Sequence, residues 1–138
     1  VINRITKPLI TKIGLNEVFV FGSNESGIHG AGAARTAMSF GAIRGKGVGH
    51  YGNTYAIPTV AKNISGKLPL ATIQTYVNDF IEYAKAHPEF KFLVTMIGCG
   101  LAGYNISSIA PLFKGAVSVN NIHLPKEFWN VLNKQEKS

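Results

Sequence analysis

Apolar residues fall along this chain in two rhythms, and the switches between them mark the elements. Residues 18–21 (Val-Phe-Val-Phe) and 91–97 (Lys-Phe-Leu-Val-Thr-Met-Ile) are nearly continuous apolar runs. Such runs suit central strands covered on both faces, as in a parallel sheet. Between them, Leu70, Ile73, Val77, Phe80, Ile81 and Ala84 recur three and four apart, while Gln74, Asn78, Glu82 and Lys85 take the opposite positions. That period predicts one amphipathic helix over 69–86, opened by Pro69 and ended by Pro88. It is a crossover helix, and it feeds the strand at 91–97.

Glycine punctuates the rest. The strand at 17–22 runs through Gly22, Gly27, Gly30 and Gly32 into a small-residue helix over about 31–39. The strand at 91–97 runs through Gly98, Gly100 and Gly103 into a helix capped by Asn105, with Ile106, Ile109, Ala110 and Phe113 as its apolar face. One device is therefore used twice: strand, glycine loop, helix start. Such a turn aims unpaired N–H groups and the positive end of a helix dipole at one spot, which favours an anion, most simply a phosphate. The first loop alone is neither a GxGxxG nor a P-loop pattern and would also serve as a plain connection. Two such loops at the carboxyl ends of neighbouring strands form the crevice where open α/β sheets bind ligands. Asn24, at the end of the first strand, both donates and accepts, which suits a sugar hydroxyl.

The segment 41–53 carries Gly41, Gly45, Gly47, Gly49 and Gly52, too many for a helix. It reads either as a mobile lid carrying Arg44, Lys46 and His50 or as a solvated surface loop. A short strand over 54–59 stops at Pro58, and in a parallel sheet Pro58 and Thr59 would lie beside the end of the first strand. A further strand is expected within 115–124, then a short helix at 125–132 whose Phe128 and Trp129 pack on the sheet edge. Residues 1–16, interrupted by Pro8, form an edge strand or an arm. Residues 134–138 are expected to fray.

Composition narrows the class. A chain of 138 residues, 46% hydrophobic and 15% charged, suits one α/β domain with a single core. No apolar run approaches the length needed to cross a bilayer, and residues 1–7 lack the apolar core of a secretory signal, so a soluble cytoplasmic protein is expected. Cys99 is the single cysteine, which excludes an internal disulfide, and no Cys/His spacing suits a metal. It reads as a nucleophile or as a small packing residue. The net charge of +7 leans toward anionic partners. Because the lysines and arginines are spread out, without a basic block or interleaved aromatics, nucleic acid is permitted rather than indicated.

Phe21-Gly-Ser-Asn24, Gly30-Ala-Gly-Ala-Ala34 and Met96-Ile-Gly-Cys-Gly-Leu-Ala-Gly-Tyr104 together resemble the macro domain superfamily, most of all its compact phage and bacterial branch. The resemblance covers roughly residues 17–124. It implies a three-layer αβα sandwich with a mixed, mostly parallel sheet, and a cleft for ADP-ribose or a related nucleotide without a further cofactor. By position it implies that Asn24 contacts the distal ribose, with Gly22 and Ser23 among the ligand-binding residues. Gly30, Ala31, Gly32 and Ala33 would form the first phosphate loop, with His29 beside them. Gly98, Cys99, Gly100, Leu101, Ala102, Gly103 and Tyr104 would form the second, with Tyr104 over the distal ribose.

The departures from the family pattern are specific. Residues 1–16 contain no Asp of the kind that holds the adenine amino group, so the base is held by another residue or by stacking, or is not adenine. Ala34 and Arg35 stand where hydrolytic members often place an acid. Lys62 approximates the lysine of the branch that releases ADP-ribose from glutamate, but Ala102 replaces that branch's aspartate. A methyl group neither takes a proton nor resolves a covalent intermediate. The expected function is therefore binding of ADP-ribose or a derived nucleotide. The alternative is a hydrolase of ADP-ribose derivatives, with His29 as general acid or base, Asn24 positioning water and Lys62 as a further candidate.

Overall fold

The computed structural model describes residues 3–62, 66–100 and 102–137. Among these residues six strands form one sheet: β1 (Ile5–Thr6), β2 (Glu17–Asn24), β3 (Gly49–Tyr51), β4 (Thr54–Val60), β5 (Lys91–Val94) and β6 (Ile122–Pro125), in the order β1-β6-β5-β2-β4-β3. All neighbours are parallel except β3, which runs antiparallel to β4. The helices are α1 (Gly32–Met38), α2 (Leu70–Ala86), α3 (Ile106–Ile109), continued by a 3-10 helix at Ala110–Ala116, and α4 (Lys126–Lys137). The protein is a mixed, mostly parallel α/β sandwich in three layers, as the sequence led us to expect.

Strand alternation divides the core between the two faces. Val18 and Val20 of β2, Tyr55 and Ile57 of β4, and Phe92 and Val94 of β5 face the layer made by α2, the 3-10 helix and α4. Phe19 and Phe21 of β2 and Ala56 of β4 face the other way, where α1 contributes Ala37. The first face is thick and the second thin. The predicted stripe of α2 explains the thick face, since Ile73, Val77, Phe80, Ile81 and Ala84 are its buried residues.

Several boundaries differ from expectation for identifiable reasons. Pro58 lies inside β4 rather than ending it: β3 pairs only as far as Ala56, so the missing N–H of Pro58 falls on an open edge. β3 itself lies within the glycine-rich segment, turned back on β4 through Gly52 and Asn53, with Gly52 at φ 56°. The last strand is Ile122–Pro125, later than the window 115–124 suggested, because the 3-10 helix occupies the chain as far as Ala116. α4 runs to Lys137, past the end expected at 132.

The chain start is both an edge strand and an arm. β1 pairs with β6, and the arm is then anchored by Arg4, whose guanidinium donates to the carbonyls of Ala116, Val117, Val119 and Ile122 at 2.7–2.9 Å. Arg4 lies over the Trp129 ring, whose Nε1 donates to the Arg4 carbonyl at 2.7 Å. The arm next crosses the thin face to β2. Among the described residues no helix is long and apolar enough to cross a membrane.

Candidate functional site

β2 and β5 are parallel neighbours, so the loops that follow them emerge at the same edge of the sheet. An ideal Cβ on Gly22 would stand 3.5 Å from the Gly98 nitrogen and 3.6 Å from Thr59 Oγ1, so the ends of β2 and β4 and the start of the second loop are in contact. Around this meeting point lies a cleft of about 850 Å³. That is within the roughly 300–1,000 Å³ typical of small-molecule sites.

Twelve of the residues expected at a ligand line this cleft: Gly22, Ser23, Asn24, Gly30, Ala31, Gly32, Ala33, Thr59, Gly98, Cys99, Gly100 and Ala102. Gly30, Gly32 and Gly100 have open space where a Cβ would stand, as walls of a cleft should. The N–H groups of Gly30 and Ala31 make no hydrogen bond among the described residues, and the first turn of α1 leaves those of Gly32, Ala33 and Ala34 without intrahelical acceptors. α1 spans seven residues and α3 four, so the loops supply more here than the helix dipoles do.

The first loop is shaped from behind. Asn24 closes it, its Nδ2 donating to Ile28 O at 2.7 Å and its Oδ1 accepting from Ile28 N at 2.9 Å. One hydrogen and one lone pair of this amide are thus spent on the loop, leaving one of each for a ligand. Gly27 (φ 72°) and Gly47 pack against the opposite backbone: a Cβ on Gly27 would lie 2.3 Å from Lys46 N, and one on Gly47 2.1 Å from Asn24 O. Gly45 N donates to Gly27 O at 2.9 Å and Ser23 Oγ to Gly47 O at 2.5 Å.

The segment at 41–50 is thus neither lid nor free loop. It buttresses the first loop, and none of its residues lines the cleft. Arg44 and Lys46 point into solvent, and His50 is turned to the far side, its Nδ1 bonded to Tyr83 OH and its ring edge-on to Phe90.

His29 is placed with the buttress, not the cleft. Its Nε2 sits 3.2 Å from both Ile43 O and Lys46 O, its ring stands edge-on to Phe21, and it is buried. Carbonyls only accept, so Nε2 carries the hydrogen and the ring is a strut. This corrects the expectation that His29 faces the ligand, and with it the role of general acid or base.

Tyr104 is likewise drawn aside. Its hydroxyl donates to Leu68 O at 2.5 Å and Lys67 Nζ lies 4.3 Å from the ring centre, so it moors the second loop to 67–68 rather than lying over the cleft. Gly103 (φ 75°) makes the turn that permits this. Neither it, Pro58 nor exposed Lys62 lines the cleft. Leu101 lies outside the described residues. Gly98 has φ 79°, and a Cβ there would come within 2.7 Å of Ile109 Cδ1, so loop and α3 fit closely.

The cleft's electrostatics are simple. Lys7 and Cys99 are the only titratable side chains among its described lining residues. Burial pushes the Cys99 thiol up, which keeps it protonated and makes it a packing residue rather than a nucleophile. Among the described residues, no three His, Cys, Asp or Glu side chains are grouped to hold a metal.

The remaining wall is one that the residue pattern did not suggest. Thr6, Lys7, Pro8, Leu9 and Ile10 of the arm close the side opposite the loops, with Phe19 and Pro125. The signal was the parallel pairing of β1 with β6, which brings the chain after β1 to the edge where the loops emerge. A two-residue strand is too short to announce that pairing. No family model, curated protein or solved structure matches the chain.

Proposed function

We propose that the cleft binds ADP-ribose or a closely related ADP-ribose-derived nucleotide, and that the protein is a reader of that ligand. The observation that carries this reading is the convergence of two glycine loops on one cleft with no carboxylate among its described lining residues. The unbonded main-chain N–H groups of the first loop suit a diphosphate, which a lining acid would repel. Asn24 keeps one donor and one acceptor for a ribose hydroxyl. The apolar wall of Leu9, Ile10 and Phe19 offers a base a surface to pack on, without the aspartate that the family resemblance would require. No observation favours the hydrolase alternative, since no aspartate, glutamate or histidine stands among the described lining residues to serve as general base. A cytoplasmic location belongs to the same proposal.

Calorimetry with ADP-ribose on the wild type and on Gly30→Glu tests this. Gly30 has open space at its Cβ and no positive φ, so the variant folds normally and sets a carboxylate on the loop. Affinity should drop by at least about tenfold, the equivalent of about 1.4 kcal/mol. Undiminished binding in a folded Gly30→Glu protein would refute the assigned loop.

A further inference from the structure

A second cavity of about 480 Å³ adjoins the cleft, and the two meet at Thr6, Lys7, Leu9 and Ile10 of the arm. Its character is different. Lys7, Lys12 and Lys91 line it against a single carboxylate, Glu17. That carboxylate is already committed: Oε2 lies 3.6 Å from Lys91 Nζ and Oε1 accepts from Gly14 N at 2.6 Å. Lys7 and Lys12 have no ion-pair partner among the described residues. His123, also in the wall, is held neutral at pH 7 by burial and by the charges of Lys91 and Arg4. The cavity therefore carries unbalanced positive charge.

Two more observations mark the junction as unfinished. Thr6 is 5% exposed, faces both cavities, and its hydroxyl is buried without a hydrogen-bond partner. A buried hydroxyl left unpaired is destabilising and invites an acceptor. Residues 7–13, which separate the cavities, make no hydrogen bond among the described residues and are held by side-chain packing between the Arg4 anchor and the Gly14–Glu17 turn.

We propose that the second cavity is an anion subsite of the same ligand groove, which takes a phosphate carried on the nucleoside end of the nucleotide. The inference rests on the nucleotide reading of the cleft. With the diphosphate on the glycine loops, the base lies against the arm, and a phosphate on the adjoining ribose reaches Lys7 and Lys12. Thr6 Oγ1 donates to that ligand where it crosses the arm. The ligand class is thus an ADP-ribose unit bearing a further phosphate.

The test compares ADP-ribose with ADP-ribose 2'-phosphate on the wild type and on Lys12→Glu. The phosphorylated ligand should bind the wild type about tenfold tighter at low salt, as charge-assisted contacts do, and the preference should shrink as salt screens it. Lys12→Glu should abolish the preference and leave ADP-ribose affinity unchanged. Equal affinity of the wild type for both ligands would overturn the inference, as would a preference that survives in the variant.

NMR titration with inorganic pyrophosphate separates this proposal from the one it rests on. The amides of Lys12, Ile13 and Gly14 should shift in the wild type and stay still in Lys12→Glu. No shift at these amides overturns the anion subsite. A shift there in a protein that ignores ADP-ribose supports the subsite and refutes the nucleotide reading instead.

Discussion

The two faces of the sheet are built to different standards. The thick face buries Phe80, Phe92, Phe113 and Phe128 completely beneath α2, the 3-10 helix and α4. The thin face has Phe19, Phe21, Ala37, Ala42 and Ala56, roofed by one short helix and an arm on which Leu9 is 78% exposed. Close packing leaves no room for a ligand, so one face of a small domain can hold most of the stability only if the other holds the cleft. The first glycine loop and the arm lie at the margin of the thin face, and the second loop, whose Met96 and Cys99 pack against the thick-face core, closes the cleft from the other side.

The largest effect that would sharpen this contrast is a cavity on the thick side. Phe80→Ala should cost about 3–5 kcal/mol in denaturant unfolding. Phe40→Ala, on the thin face and only partly buried, should cost about 1–2 kcal/mol. Equal losses would break the comparison.

A smaller effect should appear where the thin face shapes its loop. Gly47→Ala drives a methyl to within 2.1 Å of Asn24 O, so the backbone must shift at about 1–3 kcal/mol. ADP-ribose affinity should fall with it, because Asn24 moves. Gly100→Ala meets nothing within 4 Å and should leave stability within about 0.5 kcal/mol of wild type. If Gly47→Ala binds and melts like the wild type, the segment at 41–50 is not a buttress.

The same contrast governs what could be read from the residues alone. α2 was legible because its apolar period is set by one flat surface, and β2 and β5 were legible because both their faces are covered. The two glycine loops were legible for a local reason, since strand, glycine and helix start follow one another in sequence. The buttress was not: its contacts join residues about twenty apart through backbone atoms, and backbone contacts leave no side-chain signature beyond the glycines themselves. His29 looked like chemistry because loop histidines can titrate, whereas its two carbonyl partners come from a different segment. Gly52-Asn53 between short β-like runs did carry a hairpin signal for β3, masked by the surrounding glycines. The arm's role depended on a two-residue pairing with β6, more than a hundred positions away.

A further predicted effect is a pH dependence that each face contributes through one histidine. His123, beside the arm on the thin face, has its pKa pushed down to about 4, first by burial and then by Lys91 and Arg4, with Glu17 opposing. His50, packed on Tyr83, is shifted down too, by burial first and by His87, against a backbone hydrogen bond at Gly52. An unfolded histidine titrates near 6.5. Between that value and the folded one, the unfolded chain takes up a proton that the folded chain refuses, so stability falls as pH falls. The contribution is fully present above about pH 6.5 and for His123 is lost progressively toward about pH 4. The melting temperature should therefore drop between pH 7 and pH 5. His123→Gln should shrink that drop without abolishing it, since His50 remains. An undiminished drop in His123→Gln would mean that the cavity beside the arm is wetter than its packing implies, and that the thin face does not hold this imidazole neutral.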